Sequence, residues 1–84
     1  HVLQVFDSWA NVLDDEEFAR FSIPYLKQIV DAFRDSGVPV IVFCRSSSLR
    51  VESLVSLEPT AISFDWHLPM RELRKKTPAK IAVQ

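Results

Sequence analysis

From Val2 to Phe6 the apolar and polar side chains alternate, and the run stops on Asp7, Ser8 and Trp9. A period of two predicts a strand. Gln4, Phe6 and Ser8 fall on one face, and Leu3, Val5 and Asp7 on the other. The period then lengthens. In "VLDDEEF" Asp14 sits at an N-cap with Glu17 three residues on, a capping box, and Leu13 and Phe18 take the positions of a hydrophobic staple. Pro24 cannot donate a backbone hydrogen bond, so it kinks or restarts this helix, with Ser22 available as a second cap. Leu26, Ile29, Val30 and Phe33 follow at i, i+3, i+4, i+7, one apolar stripe. Gly37, the only glycine, stands where a left-handed helix stop is expected.

The second half repeats the theme. "VPVIVFC", Val38 to Cys44, is almost wholly apolar and β-branched, which suits a strand covered on both faces. "SSSLRVESLVSL" reads as a loop and a short helix with Leu54, Val55 and Leu57 buried. "AISFDW", Ala61 to Trp66, is a third strand. Pro69 opens a third helix, "PMRELRKKT", and Pro78 ends it. "KIAVQ", Lys80 to Gln84, is a fourth short strand with Ile81 and Val83 on its apolar face. Repeated β-α-β units predict an α/β fold with parallel strands. An open doubly wound sheet and part of a (β/α)8 barrel both satisfy that order. One apolar and one mixed face per outer strand favours the barrel, with helices on the apolar side and a lumen on the mixed side. Four strands are about half of such a barrel, which needs roughly 200 residues or more.

Length and charge narrow the picture further. The chain has 84 residues and reads as one segment, 1–84. It opens on His1 and stops on Gln84 directly after a strand-like run, so it is expected to be an excerpt of a longer protein. Hydrophobic residues make up 48% and charged residues 25%, an ordinary globular balance. A net charge of −1 gives no general attraction to nucleic acid or an anionic membrane. No apolar run approaches the roughly 18 residues of a membrane span. The single cysteine excludes an internal disulfide and fits a reducing compartment.

Active sites of parallel α/β folds lie at the carboxyl ends of the strands. Asp7, Ser8 and Trp9 are at one such end, Arg45 with Ser46 to Ser48 at the next, then Asp65, Trp66 and His67, then Gln84. Ser8 offers a hydrogen bond to a carboxylate. As a nucleophile it would need an adjacent base, and no G-x-S-x-G elbow surrounds it. Asp7 and Asp65 are candidates for acid–base work. Asp7 points toward the helices and reads better as a cap or ion-pair partner, while Asp65 stays open between the two. Cys44 has no second cysteine or histidine at metal-ligand spacing and reads as a small buried hydrophobe. His67 reads as structural or solvated. Arg71, Arg74, Lys75 and Lys76 form a solvated helix end that complements the helix dipole. "RSSSLR" offers arginines around serines to an anion but lacks the glycines of a phosphate loop.

In order and spacing, "QVFDSWA", "FSIPYLKQIV", "GVPVIVF", "ISFDW" and "KIAVQ" resemble the C-terminal half of the uroporphyrinogen decarboxylase family. The segments that carry the resemblance are Phe6–Ala10, Pro24 with Tyr25, and Asp65 with Trp66. Gln84 matches the start of an L-Q-G-N-like motif, with Val83 in place of leucine. The resemblance implies a partial (β/α)8 barrel. It also implies a cytoplasmic enzyme of haem and tetrapyrrole synthesis that decarboxylates the four acetate side chains of uroporphyrinogen to give coproporphyrinogen. It implies no metal, no organic cofactor and a homodimer for the full-length protein. By the same resemblance Ser8 contacts the substrate and Phe6 lines its pocket. The family's arginines, its pyrrole-facing aspartate, a tyrosine and a late histidine belong to other parts of the chain. No catalytic residue is therefore expected here, and the segment alone is expected to be inactive.

The sequence departs from the family in three places. Cys44, Arg45, Ser46 and Ser47 stand where a lysine and glycines are usual; Arg45 keeps the positive charge, and the loop backbone is expected to differ because serine does not take positive φ freely. Asn11 stands where glycine is common, and His67 replaces a usual threonine. A corrinoid–thiol zinc methyltransferase on the same barrel is the alternative enzyme, but the histidine it needs two residues before Cys44 is Val42. A non-catalytic half-barrel module is the alternative outside enzymes.

Overall fold

The computed structural model describes all of residues 1–84, in which four strands alternate with helices. The strands are β1 (Leu3–Asp7), β2 (Val40–Cys44), β3 (Ala61–Ser63) and β4 (Ala82–Val83). The helices are α1 (Asp15–Phe21), α2 (Ile23–Phe33), α3 (Val51–Val55) and α4 (Met70–Lys76), with single 3-10 turns at Ala10–Val12 and Ser47–Leu49. All pairings are parallel, and the sheet order is β1-β2-β3-β4. A doubly wound sheet reverses its strand order at a switch point, and this one does not. Sequential order without reversal is the wall of a (β/α)8 barrel.

Local chemistry sets the boundaries. Asp14 and Glu17 form the expected capping box, each side chain accepting from the other's backbone N–H, at 2.7 and 3.2 Å. Such a cap is worth about 1 kcal/mol. Phe18, the staple residue, is buried, and Leu13 packs on the same core. Pro24 does restart the helix: α1 ends at Phe21 and α2 begins at Ile23. Ser22 is not the expected second cap. Its backbone is helical and its hydroxyl donates to Asp7 Oδ2 at 3.0 Å. Gly37 adopts φ 79°, the left-handed stop.

The strands are shorter than the apolar runs that announce them. Pro39 has no N–H for the ladder, so β2 starts at Val40 rather than Val38. β3 ends at Ser63 because the Asp65 N–H leaves the sheet for Ser47 Oγ, at 3.0 Å. β4 spans Ala82–Val83, although the Gln84 N–H still donates to the Ile62 carbonyl at 3.0 Å. α4 begins one residue after Pro69, and Thr77 is extended ahead of Pro78.

The sheet has two different faces. Val40, Val42 and Cys44 of β2 are buried, and they share one core with Phe18, Leu26, Val30, Leu54, Leu57, Ile62 and Ile81. Leu3 and Val5 pack against that core from β1. The other face carries Gln4, Phe6, Ile41, Phe43, Ala61, Ser63 and Ala82, of which Ala61 alone is buried. β2 is therefore not covered on both faces within this chain, contrary to its composition. The α2 stripe is also narrower than its spacing predicts. Leu26 and Val30 are buried, but Ile29 lies at the surface with Phe21 and Tyr25, one i, i+4, i+8 row.

Candidate functional site at the strand carboxyl ends

Register brings the predicted site residues to one face. In the β1–β2 ladder Phe6 is opposite Phe43, and their rings meet edge to face at 5.8 Å between centroids. Phe43 is in turn opposite Ser63. Phe6 is 64% exposed, an unusual position for a strand phenylalanine in a packed sheet. Ser8 follows two residues later, past the end of β1, and its side is exposed. It is not drawn into the internal hydrogen bonds that occupy Ser22, Ser47 and Ser48. The result is an aromatic floor with a free hydroxyl at its rim. Phe43 was hidden in the apolar run of β2; its place in that floor follows from the period of two once the register is known.

Asp7 takes the opposite face, as expected, but its partner is the Ser22 hydroxyl and not an arginine or lysine. Trp9, next along the chain, is 73% exposed. Cys44 lies beside Asp7 on the helix side and is buried. Burial first, and then the Asp7 carboxylate, push its thiol up to about 12. The position two residues earlier, where the methyltransferase alternative needs a histidine, is Val42, buried on the same face. No three His, Cys, Asp or Glu side chains gather at metal-binding distance.

Asp65 is occupied by hydrogen bonds from the loop after β2. Its side chain is 1% exposed, and it knits β3 to the loop after β2. Its carboxylate accepts from the Ser46 N–H at 2.6 Å, the Ser48 N–H at 3.2 Å and the Ser48 hydroxyl at 2.5 Å. His67 Nε2 lies 3.4 Å away. Burial acts to raise the Asp65 pKa, but the hydrogen bonds from Ser48 and Ser46 outweigh it, with a smaller contribution from His67, and hold the carboxyl below its usual range. His67 also stacks on Trp66, with 5.1 Å between ring centroids.

This network corrects two expectations. Ser46 does take the left-handed region, with φ 68°, against the intrinsic preference of serine. The cost of that conformation, roughly 1–2 kcal/mol, is offset by the charged hydrogen bond from its N–H to Asp65. The serines of "RSSSLR" do not face an anion. Ser47 and Ser48 are buried and bound to Asp65. Arg50 is engaged as well. It donates to the carbonyls of Ala10, at 3.2 Å, and Leu13, and its guanidinium lies 4.2 Å from the Phe18 ring centroid. Its side chain is 9% exposed. Nothing in the local sequence announces this clamp, since its partners lie 37 and 40 residues away. A cleft of about 570 Å³ runs along α3 past Asp15, Leu49, Arg50 and Lys76, away from Phe6 and Ser8.

Four parallel strands in sequence order, helices on one face and an aromatic and polar rim at the carboxyl ends define a segment of a (β/α)8-barrel protein. The family model for uroporphyrinogen decarboxylase (URO-D) matches residues 1–84. Proteins named uroporphyrinogen decarboxylase from Protochlamydia amoebophila and Myxococcus xanthus are each 42% identical, over 100% and 99% of this chain. One from Hordeum vulgare is 40% identical over 98% of it. The chain belongs to the uroporphyrinogen decarboxylase family. It spans 23–26% of the length of these three relatives. None of its helices is long and apolar enough to cross a membrane.

Proposed function

We propose that this chain is the C-terminal part of a uroporphyrinogen decarboxylase, and that Phe6 and Ser8 bind the substrate. The full-length protein removes the four acetate carboxyl groups of uroporphyrinogen as carbon dioxide and releases coproporphyrinogen. One observation carries the reading: Phe6 is exposed on the open sheet face, edge to face with Phe43, and Ser8 follows it at the rim. A macrocycle with eight carboxylates needs an apolar floor for its ring and hydrogen-bond donors around the edge. Loss of carbon dioxide leaves an electron pair that a protonated pyrrole accepts, and stabilising that cation falls to residues outside this segment. This segment binds and orients the ring. The same reading carries a cytoplasmic homodimer, the dimer being measurable by sedimentation equilibrium; the plant relatives include chloroplastic forms.

The test is a product assay on the full-length protein carrying this segment. Uroporphyrinogen is supplied anaerobically, and the products are separated by carboxylate number. The intact protein is expected to yield coproporphyrinogen. Ser8→Ala is expected to raise KM about tenfold, the loss of one hydrogen bond to a charged group, and to release partly decarboxylated intermediates. Absence of decarboxylation by the intact protein defeats the reading.

A further inference from the structure

We propose that Arg45 is a carboxylate-binding residue of this same face, contacting an acidic side chain of the ligand seated over Phe6 and Phe43. The proposal rests on the reading of that face as a substrate site, and deepens it. Position is the first argument. The Arg45 N–H donates to the Asp7 carbonyl at 3.1 Å, the last rung between β1 and β2. Arg45 therefore stands beside Ser8 where the two strands end. Ile41 and Phe43 share one side of β2, as Gln4 and Phe6 share it along β1, and the same alternation continued one step past the strand ends brings Arg45 and Ser8 to that side.

Charge is the second argument. Arg34, Arg50 and Arg74 donate to backbone carbonyls, and Arg20 lies over the Phe21 ring. Arg45 has no such engagement and is exposed. Both acids nearest to it along the strand ends are committed elsewhere, Asp7 to Ser22 and Asp65 to Ser46 and Ser48. The remaining free bases, Arg71, Lys75, Lys76 and Lys80, lie on α4 or just ahead of β4. Arg45 is thus the one uncommitted cation at the strand carboxyl ends.

Rigidity is the third. Arg45 is pinned through its own N–H to Asp7, and the next residue is locked in the left-handed region by Asp65. Strained backbone of this kind persists where the surroundings over-determine it, and it fixes where a neighbouring side chain starts. A cation on a fixed base loses less freedom on binding. The guanidinium fork matches a carboxylate in two parallel hydrogen bonds. With an aromatic pair beneath, the ligand class is an apolar ring system bearing carboxylates.

The test uses full-length protein carrying this segment and two readouts. Equilibrium binding of uroporphyrin, the fluorescent oxidised octacarboxylate, is titrated for the intact protein, Arg45→Gln, Arg45→Lys and the control Arg71→Gln. Turnover of uroporphyrinogen by the intact protein is measured in parallel. Arg45→Gln is expected to weaken Kd roughly tenfold at low salt. Arg45→Lys should recover part of the loss, Arg71→Gln should show none, and the difference should shrink as salt is raised. Arg45→Gln binding as tightly as the intact protein overturns the assignment, and turnover by the intact protein then leaves the broader reading standing. A selective loss of binding without turnover supports Arg45 and defeats the decarboxylase reading. No uroporphyrin binding by the intact protein overturns the Arg45 assignment, and turnover in parallel decides the decarboxylase reading separately.

Discussion

The Asp65 carboxylate accepts a hydrogen bond from the Ser46 backbone N–H at 2.6 Å, tying the end of β3 to the loop that leaves β2. This tie, together with the two bonds from Ser48, fixes the rim beside the open face. Removing the acceptor exposes how much the rim depends on it. Asp65→Ala in the full-length protein leaves two N–H groups and a hydroxyl without their partner. The expected loss is about 3–5 kcal/mol, as for a broken buried charged network, read as a lowered midpoint in urea. A loss below 1 kcal/mol would show that the loop holds itself.

The same carboxylate gives stability a definite pH dependence. Its pKa is lowered in the folded chain from an ordinary 3.8, so folding favours the ionised form. Its contribution is complete at pH well above 3.8. It is lost as pH falls through that value toward the lower folded pKa. Urea midpoints from pH 6 down to pH 3 should therefore fall more steeply in the intact protein than in Asp65→Asn. Parallel curves contradict this.

Ser46 separates backbone strain from side-chain need. Ser46→Gly relieves roughly 1–2 kcal/mol of left-handed strain and adds about 0.5–1 kcal/mol of unfolded-state entropy. The net effect is a gain of about 0.5 kcal/mol. Ser46→Val has the opposite sign, because a β-branched residue resists φ 68°. Thermal melts of the two variants on either side of the parent would establish the order; a glycine variant less stable than the valine variant refutes it.

Arg50 holds the turn after β1 against α1 through two carbonyls and a ring. Arg50→Lys keeps the charge but supplies a point donor in place of the fork. It should cost about 1–2 kcal/mol, and Arg50→Ala about 2–4 kcal/mol, since both carbonyls then lose their donor. Equal losses in the two variants would assign the whole effect to the guanidinium group and none to the charge or the aliphatic stem that lysine keeps.

Cys44 should be silent to thiol reagents. Its folded pKa of about 12 leaves almost no thiolate at pH 8, and burial blocks access. Labelling with a disulfide reagent is expected only after denaturation. Rapid labelling of the native protein would place the thiol on the exposed face.

Legibility in the sequence followed distance along the chain. The capping box was readable because Asp14 and Glu17 lie within one turn. The strand faces were readable because a period of two needs no partner, and Phe6 and Ser8 were placed on the open side by that means alone. Asp65 is ambiguous in the sequence because its donors, Ser46 and Ser48, lie 19 and 17 residues upstream, and no local spacing links them. Ser46 was misjudged for a related reason: intrinsic preference argues against a left-handed serine, and a distant carboxylate overrides it. Ser22 was misassigned because a serine before a broken helix fits a cap as well as it fits a donor to Asp7, and only the packing of α2 on β1 decides between them.

The strand order carries a further consequence for synthesis. Every strand after β1 pairs with the one made just before it. No rung waits for a strand encoded far downstream, and no earlier pairing must open to admit a later one. Each β-α unit can thus close onto the preceding edge as soon as it clears the ribosome, so within this segment the wall grows in the direction of translation.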